Sequence, residues 1–341
     1  MRRLSLSMHL RYLRQEEKGK SRGLYETCFP EDTAKFVDYY YEEKCRDNEI
    51  IVLEEQDHIC SMIHANPFSV SYCGQRADVH YLVAVATDPM YRRQGCMRRL
   101  LQELLRKERK KGEPFSFLMP ADPAYYEPFG YRYWENQRVW ETEDAQTEKL
   151  CGYIMNQKNC AGDADNEELA QISNQILDEK FDLYIPRNAS YYERMKKEQQ
   201  SEDGAVVPVY DGNGQLCGSF CYSMEDGFEI REPLWKADAK LPGESENLCL
   251  PKERETPLMM GRILHLPAFV KLLRFVDVYE ETLQIRDELF PENNGCYRIY
   301  IDSTGGTAEK VEQCESASAM DIAIFGQQMF DRLKIFVNEL V

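Results

Sequence analysis

Apolar residues recur along this chain in two rhythms, and the changes between them mark its elements. Runs at Ile50–Leu53, Ile59–Val70, Asp78–Thr87 and Phe115–Met119 predict β-strands, with the polar segment Glu54–His58 between the first two. Positions 97, 100, 101, 104 and 105 follow helical spacing instead, and Gly112-Glu113-Pro114 ends that helix. Mixed amphipathic stretches predict further helices around 10–20 and 31–46. Prolines at 120, 123 and 128 keep regular structure short through 119–134, where the aromatics at 125, 126, 129, 131, 133 and 134 crowd into one cluster closing a first unit.

The apolar pattern fades at Glu141–Glu148, which marks a boundary. Helical spacing resumes over 165–200, interrupted at Pro186. Ala205–Tyr210 and Gln215–Ser223 flank Asp211-Gly212-Asn213-Gly214 as a hairpin. Leu234–Glu255 reads as a linker. A strand at Met259–Leu264, a helix at Pro267–Phe275, strands at Glu281–Asp287 and Tyr297–Asp302, and a mainly helical 317–336 complete a third unit. The expected class is α+β, in units 1–145, 146–255 and 256–341, since 341 residues exceed what one core usually supports.

Composition narrows the function. Hydrophobic residues at 43% and charged residues at 30% describe an ordinary globular chain, and the net charge of −17 argues against nucleic acid as main partner while favouring a cationic one. The opening segment lacks an apolar core and no apolar run spans a membrane, so a cytoplasmic location is expected. Twelve cysteines show no CxxC pair and no disulfide or zinc spacing, so reduced thiols and no metal are expected. Cys60 with His64, and Cys217 with Cys221, are only loose pairs of potential ligands.

Against the acidic background, residues 91–111 carry nine basic side chains, at 92, 93, 98, 99, 106, 107, 109, 110 and 111. Those from 107 onward read as a solvated helix face. Those at 92, 93 and 98 fall at the helix start, where positive charge opposes the dipole unless an anion is present. Asp88-Pro89 breaks the preceding strand, so the order is strand, basic glycine turn, helix, with backbone N–H groups aimed at a pyrophosphate. Cys96 at that helix start is expected to have a lowered thiol pKa, though with no histidine near it in sequence. His64 and His80 are alternative bases, or structural residues of their strands.

The stretch V-A-T-D-P-M-Y-R-R-Q-G resembles motif A of the GNAT acyl-CoA N-acyltransferases, with Arg92, Gly95 and Met97 at the positions of R/Q-x-x-G-x-G/A. Met97 departs from the usual Gly or Ala, as in the enhanced-intracellular-survival branch. Y-Y-E-P-F-G-Y at 125–131, M-M-G-R-I-L-H-L-P-A-F at 259–269, P-E-N-N-G at 291–295 and F-V-N-E-L-V at the end resemble that branch too. The resemblance implies two GNAT-type domains, the second shortened, followed by a sterol-carrier-like domain. It implies acetyl transfer from acetyl-CoA to a primary amine of an aminoglycoside, polyamine or lysine-type acceptor, in a homo-oligomer such as a hexamer. A protein or peptide lysine acetyltransferase and a non-catalytic acyl-CoA- or lipid-binding protein are the alternatives. By the same resemblance, Val85, Ala86, Thr87, Arg92, Arg93, Gln94, Gly95, Cys96, Met97, Arg98, Ala121 and Asp122 would hold the cofactor. Tyr126 would be the proton donor, with Tyr125 its competitor, and the carboxylate of Val341 the proton acceptor.

Overall fold

The computed structural model describes residues 8–141, 149–153, 164–224, 228–236, 239, 252–312 and 319–337. In chain order its strands are β1 (His9–Tyr12), β2 (Glu49–Glu55), β3 (His58–Tyr72), β4 (Gln75–Thr87), β5 (Phe115–Leu118), β6 (Arg132–Glu141), β7 (Leu183–Tyr184) and β8 (Ala205–Tyr210). They continue with β9 (Leu216–Ser223), β10 (Glu229–Trp235), β11 (Lys252–Ile263), β12 (Tyr279–Arg286), β13 (Gly295–Ile301), β14 (Gly306–Val311), β15 (Ala319–Asp321) and β16 (Ile335–Phe336). The longer helices are α1 (Arg22–Cys28), α2 (Ala34–Glu42), α3 (Cys96–Lys111), α4 (Asn166–Lys180), α5 (Ala189–Ser201), α6 (Leu266–Leu272) and α7 (Ile322–Phe330).

Twelve strands form one sheet in the order β1-β2-β3-β4-β5-β11-β6-β10-β9-β8, with β7 joining β3 to β16; a second sheet runs β14-β13-β12-β15. The class is mixed α/β, as the sequence implies. Helix α3 lays Leu100, Leu101, Leu104 and Leu105, all fully buried, against Ile51, Leu53, Ile63 and Leu82 of the first strands. Its polar face is held by Lys107 and Lys111, both on Glu49 at 2.6 and 3.1 Å, so the basic run is largely a surface face as expected. Gly112, at φ 88°, closes the helix in the left-handed region where glycine avoids the Cβ clash.

Three expectations about elements change. The helix over 10–20 is instead edge strand β1 followed by a 3-10 helix of about two turns at Gln15–Ser21. Pairing with β2 fixes the backbone there, and Arg11 bridges Glu17 and Glu54, so tertiary pairing overrides local spacing. The supposed linker 234–255 yields its described ends to strands. Lys252–Thr256 alternates charges like a solvated segment, yet pairs with Glu141–Gln137 of β6, a partner sequence-local reasoning cannot see. The helix expected over 317–336 is restricted to α7, flanked by β15 and β16.

The aromatic crowd divides between two cores. Tyr126, Phe129 and Tyr131 join the α3 side, whereas Trp134 packs with Phe115, Phe117 and Phe330 on the other, 4.2 Å from the Phe330 ring centre to centre. Gly261 lets Trp134 lie flat on the sheet, since a Cβ there would meet the indole at 3.2 Å. Cys296 is disulfide-bonded, contrary to the expectation of thiols throughout, while Cys28, Cys45, Cys60, Cys73, Cys96, Cys151, Cys217 and Cys221 are free. No helix among the described residues is long and apolar enough to cross a membrane.

Candidate active site

Strands β4 and β5 pair in parallel only at His80–Ser116, Tyr81–Phe117 and Leu82–Leu118. β5 then meets Pro120, which has no N–H for a ladder. β4 runs on to Thr87, but its register against β3 shifts between His64–Val83 and Met62–Ala86, and Ala84 takes φ 47°, rare for a residue with a Cβ. The bulge and the early end of β5 open a fork between the two strands. A cavity of about 440 Å³ fills it, lined by Tyr81–Val85, Met119–Ala121, Tyr126 and Tyr133, and across from them by Tyr25, Glu31, Asp32 and Tyr40 of the α1–α2 region.

At the outer end of β4 stands the basic turn. Asp88 fixes it by accepting the Met90 N–H at 2.8 Å. Arg93 (φ 60°) and Gly95 (φ 84°) then reverse the backbone in left-handed conformations and Cys96 opens α3. The first N–H groups of a helix have no intrahelical acceptor, and here no side chain caps them and no acid lies in the first turn. The exposed Arg92, Arg93 and Arg98 add charge, so the turn is a donor-rich, positive surface suited to a pyrophosphate.

The residues at this turn have different environments. Arg92 Nε donates to the Thr87 carbonyl at 3.1 Å, tying the turn to the end of β4, and Gln94 Nε2 donates to Met90 O at 2.9 Å. The Arg93 side chain has no partner among the described residues. Arg98 lies over the Phe129 ring at 4.9 Å. Met97 is half-buried against the α3 core. Cys96 is buried, and that burial pushes its thiol above the usual range, the reverse of the lowering expected at a helix start; desolvation outweighs the dipole. Of the strand residues, Val85 lines the cavity, while the Thr87 hydroxyl is 2.8 Å from that of Ser61 and Ala86 O accepts from the Ser61 hydroxyl at 2.8 Å. Ala121 lines the cavity, and Asp122 caps the next turn by accepting the Ala124 N–H at 2.9 Å.

Tyr126 and Tyr125 are separated by this geometry. Tyr125 is 59% exposed, whereas Tyr126 is 5% exposed and lines the cavity. The Tyr126 hydroxyl makes no hydrogen bond among the described residues, and burial pushes its phenol well above the usual range, so it stays protonated. The acidic side of the cavity, Glu31 and Asp32, was not foreseen. Asp32 accepts the Tyr25 hydroxyl at 2.7 Å. Val341 lies outside the described residues.

The two histidines considered as bases are occupied elsewhere. His64 is fully buried, its Nδ1 2.8 Å from the Tyr40 hydroxyl, and burial pushes its pKa down to about 3. His80 Nδ1 lies 2.9 Å from the Glu113 carboxylate. With Glu108 these two bring three potential ligand atoms within 4.8 Å of one another, on residues that do not line the cavity. Both Glu108 oxygens are buried without a partner and burial pushes its carboxyl well above the usual range, so it is held as the neutral acid.

Residues 9–134 match the acetyltransferase (GNAT) domain family and residues 266–332 the sterol carrier protein domain family. Among solved structures, a conserved protein of Enterococcus faecalis V583 described as a probable N-acyltransferase matches with TM-score 0.66 at 19% identity, over 96% of this chain and 93% of its own. A GCN5-related N-acetyltransferase of Kribbella flavida matches with TM-score 0.69 at 15% identity, over 96% and 93%. Eis1 of Mycobacterium abscessus matches with TM-score 0.64 at 12% identity, over 94% and 89%. No curated protein sequence matches.

Proposed function

We propose that this chain, an acyltransferase of the GNAT type with a C-terminal sterol-carrier-type domain, moves the acetyl group of acetyl-CoA directly to a primary amine of a small multi-amine acceptor. The observation that carries the reading is the fork itself: a donor-rich positive turn at its outer end and a cavity holding a free, protonated phenol and two carboxylates at its inner end. The pyrophosphate of the cofactor would lie on the N–H groups of Cys96, Met97 and Arg98, with Arg93 supplying charge. The pantetheine arm would then run along β4 past Thr87 and Ala86 and place the thioester at Val85, where the bulge turns peptide groups away from the β3 ladder.

The acceptor amine enters from the α1–α2 side, where Glu31 and Asp32 favour a cation. Its neutral nitrogen attacks the thioester carbonyl, a C–N bond forms, the C–S bond breaks, the thiolate takes the proton of Tyr126, and the proton that the nitrogen sheds on becoming an amide returns to the phenolate. The ammonium proton lost before attack goes to the acceptor assigned to Val341 by the family resemblance.

The test is thiol release from acetyl-CoA by the full chain, offered spermidine, an aminoglycoside and a lysine peptide, with product masses recorded. Release with the multi-amine small molecules and a mass gain of one acetyl or more is expected. Release with the peptide alone would move the acceptor class to proteins. Binding of acetyl-CoA without release to any amine would overturn the enzymatic reading, and absence of binding would overturn the assignment of the turn.

A further inference from the structure

Tyr126 rides on a tight turn, and one buried side chain from the far end of the sequence holds that turn. The Tyr126 carbonyl accepts the Phe129 N–H at 2.9 Å, and Gly130, at φ 81°, brings the chain around to β6. The Phe129 carbonyl faces Arg262 near the end of β11, whose Nη1 donates to it at 2.6 Å. The contact is close enough to dictate a neighbour: a Cβ on Gly130 would stand 2.0 Å from that same Nη1. Position 130 is therefore glycine for two independent reasons, its φ and the guanidinium beside it.

The other end of the guanidinium is anchored in the C-terminal half. Nη2 donates to Asp287 Oδ1 at 2.7 Å, and the plane lies over the Phe290 ring at 4.9 Å. Asp287 is itself fixed: its oxygens accept the N–H groups of Leu289 and Phe290 at 3.0 Å each and the Asn293 amide at 2.9 Å. Arg262, Asp287 and Asn293 are 1–3% exposed. This buried ion pair, whose Arg262 Nη1 and Nη2 are both engaged while its Nε is buried without a partner, is held in place but gains little stability over an apolar replacement. Its position suggests another use. The same turn also carries Phe129, whose ring stacks under Arg98 in the first turn of α3.

We propose that Arg262 is a positioning residue for Tyr126: by bonding the Phe129 carbonyl it locks the turn that aims the phenol into the fork, and through Phe129 it sets that turn against the cofactor-facing start of α3. The proposal rests on the reading of Tyr126 as proton donor. It gives the C-terminal half a part in the chemistry although Arg262 and Asp287 do not line the cavity. A lysine cannot replace the planar fork, since one ammonium on a flexible stem does not hold the Phe129 carbonyl and Asp287 in fixed relation.

The experiment compares Arg262→Lys, Asp287→Asn and Tyr126→Phe with the parent chain for kcat, KM of acetyl-CoA, the pH profile of kcat and the thermal midpoint. Folded Arg262→Lys should lose about tenfold to a hundredfold in kcat, as a misplaced catalytic group does, with KM of acetyl-CoA within about twofold. A loosened turn also lets water reach the phenol, so the alkaline limb of kcat should move down by about one pH unit. A merely structural role would lower the midpoint and leave that limb in place. Folded Arg262→Lys with wild-type kcat and an unmoved limb would overturn the proposal. If Arg262→Lys does not fold, Asp287→Asn, which keeps the arginine and weakens its anchor, decides by the same two readouts. Unchanged turnover in Tyr126→Phe would overturn the donor reading itself, separately from the role of Arg262.

Discussion

Tyr126→Phe removes a single oxygen, and the structure separates what that oxygen does for folding from what it does for turnover. The hydroxyl makes no hydrogen bond among the described residues, so its loss leaves no buried partner stranded, the situation that makes such deletions costly. The ring, packed edge-on to Tyr131 at 6.1 Å, stays in place. The stability change should therefore be under about 1 kcal/mol, of either sign. Turnover is different. General acid assistance to a leaving thiolate contributes about 10²–10⁴-fold, or about 2.7–5.5 kcal/mol of barrier. Because burial raises the phenol pKa, the group stays protonated through neutral pH, and its alkaline limb should lie above the usual phenol value of ~10. The assay is single-turnover acetyl transfer alongside chemical denaturation of the same preparations. A fall in turnover matched by an equal fall in stability would refute the reasoning, and so would an unchanged rate.

Three further outcomes follow from the same geometry. Asp32→Asn should raise KM for a polycationic acceptor roughly tenfold at low salt and less at high salt, with KM of acetyl-CoA unmoved; a salt-independent effect would contradict an electrostatic role. Arg93→Ala should weaken acetyl-CoA binding several-fold by calorimetry, since its side chain is free to meet a phosphate, and an unaltered dissociation constant would return it to the solvated surface. Glu108→Gln concerns stability against pH. The Glu108 carboxyl is raised in the fold above its unfolded value of 4.5 by burial and then by Glu113, with Lys111 opposing, and His80 beside Glu113. Stability from the neutral acid is thus full below pH 4.5 and is lost as pH rises toward the folded pKa, by up to about 1.4 kcal/mol per unit. The glutamine variant, which cannot ionise, should gain on the parent between pH 5 and 7; parallel denaturation curves would show that Glu108 ionises freely.

The legible parts of this chain were those whose signals are local. The run into Thr87, the Asp88-Pro89 break and the Gly95 reversal declared strand, turn and helix because each depends on residues within a few positions. The same proximity that exposed the turn misled about Cys96: position at a helix start is visible in sequence, burial in the α3 core is not. The acidic wall at Glu31 and Asp32 lies about 50 residues from the strand it faces, and only the fold brings them together. Arg262 stands inside the segment M-M-G-R-I-L-H-L-P-A-F, yet nothing local pairs it with Phe129, 133 residues away. Lys252–Glu255 falls in the stretch that reads as a linker, because the strand it forms takes its partner from the other end of a long excursion.

That excursion also sets a schedule for biosynthesis. β11 fills the gap between β5 and β6 in the finished sheet, but is made roughly 110 residues after β6 is complete. At translation rates of about 5–20 residues per second, the β5 and β6 edges wait some 6–22 seconds with unpaired backbone groups exposed. The nascent chain during that interval is a natural client for chaperones, and a ribosome stalled before residue 252 should yield an insoluble product, whatever the quality of the α3 core already formed.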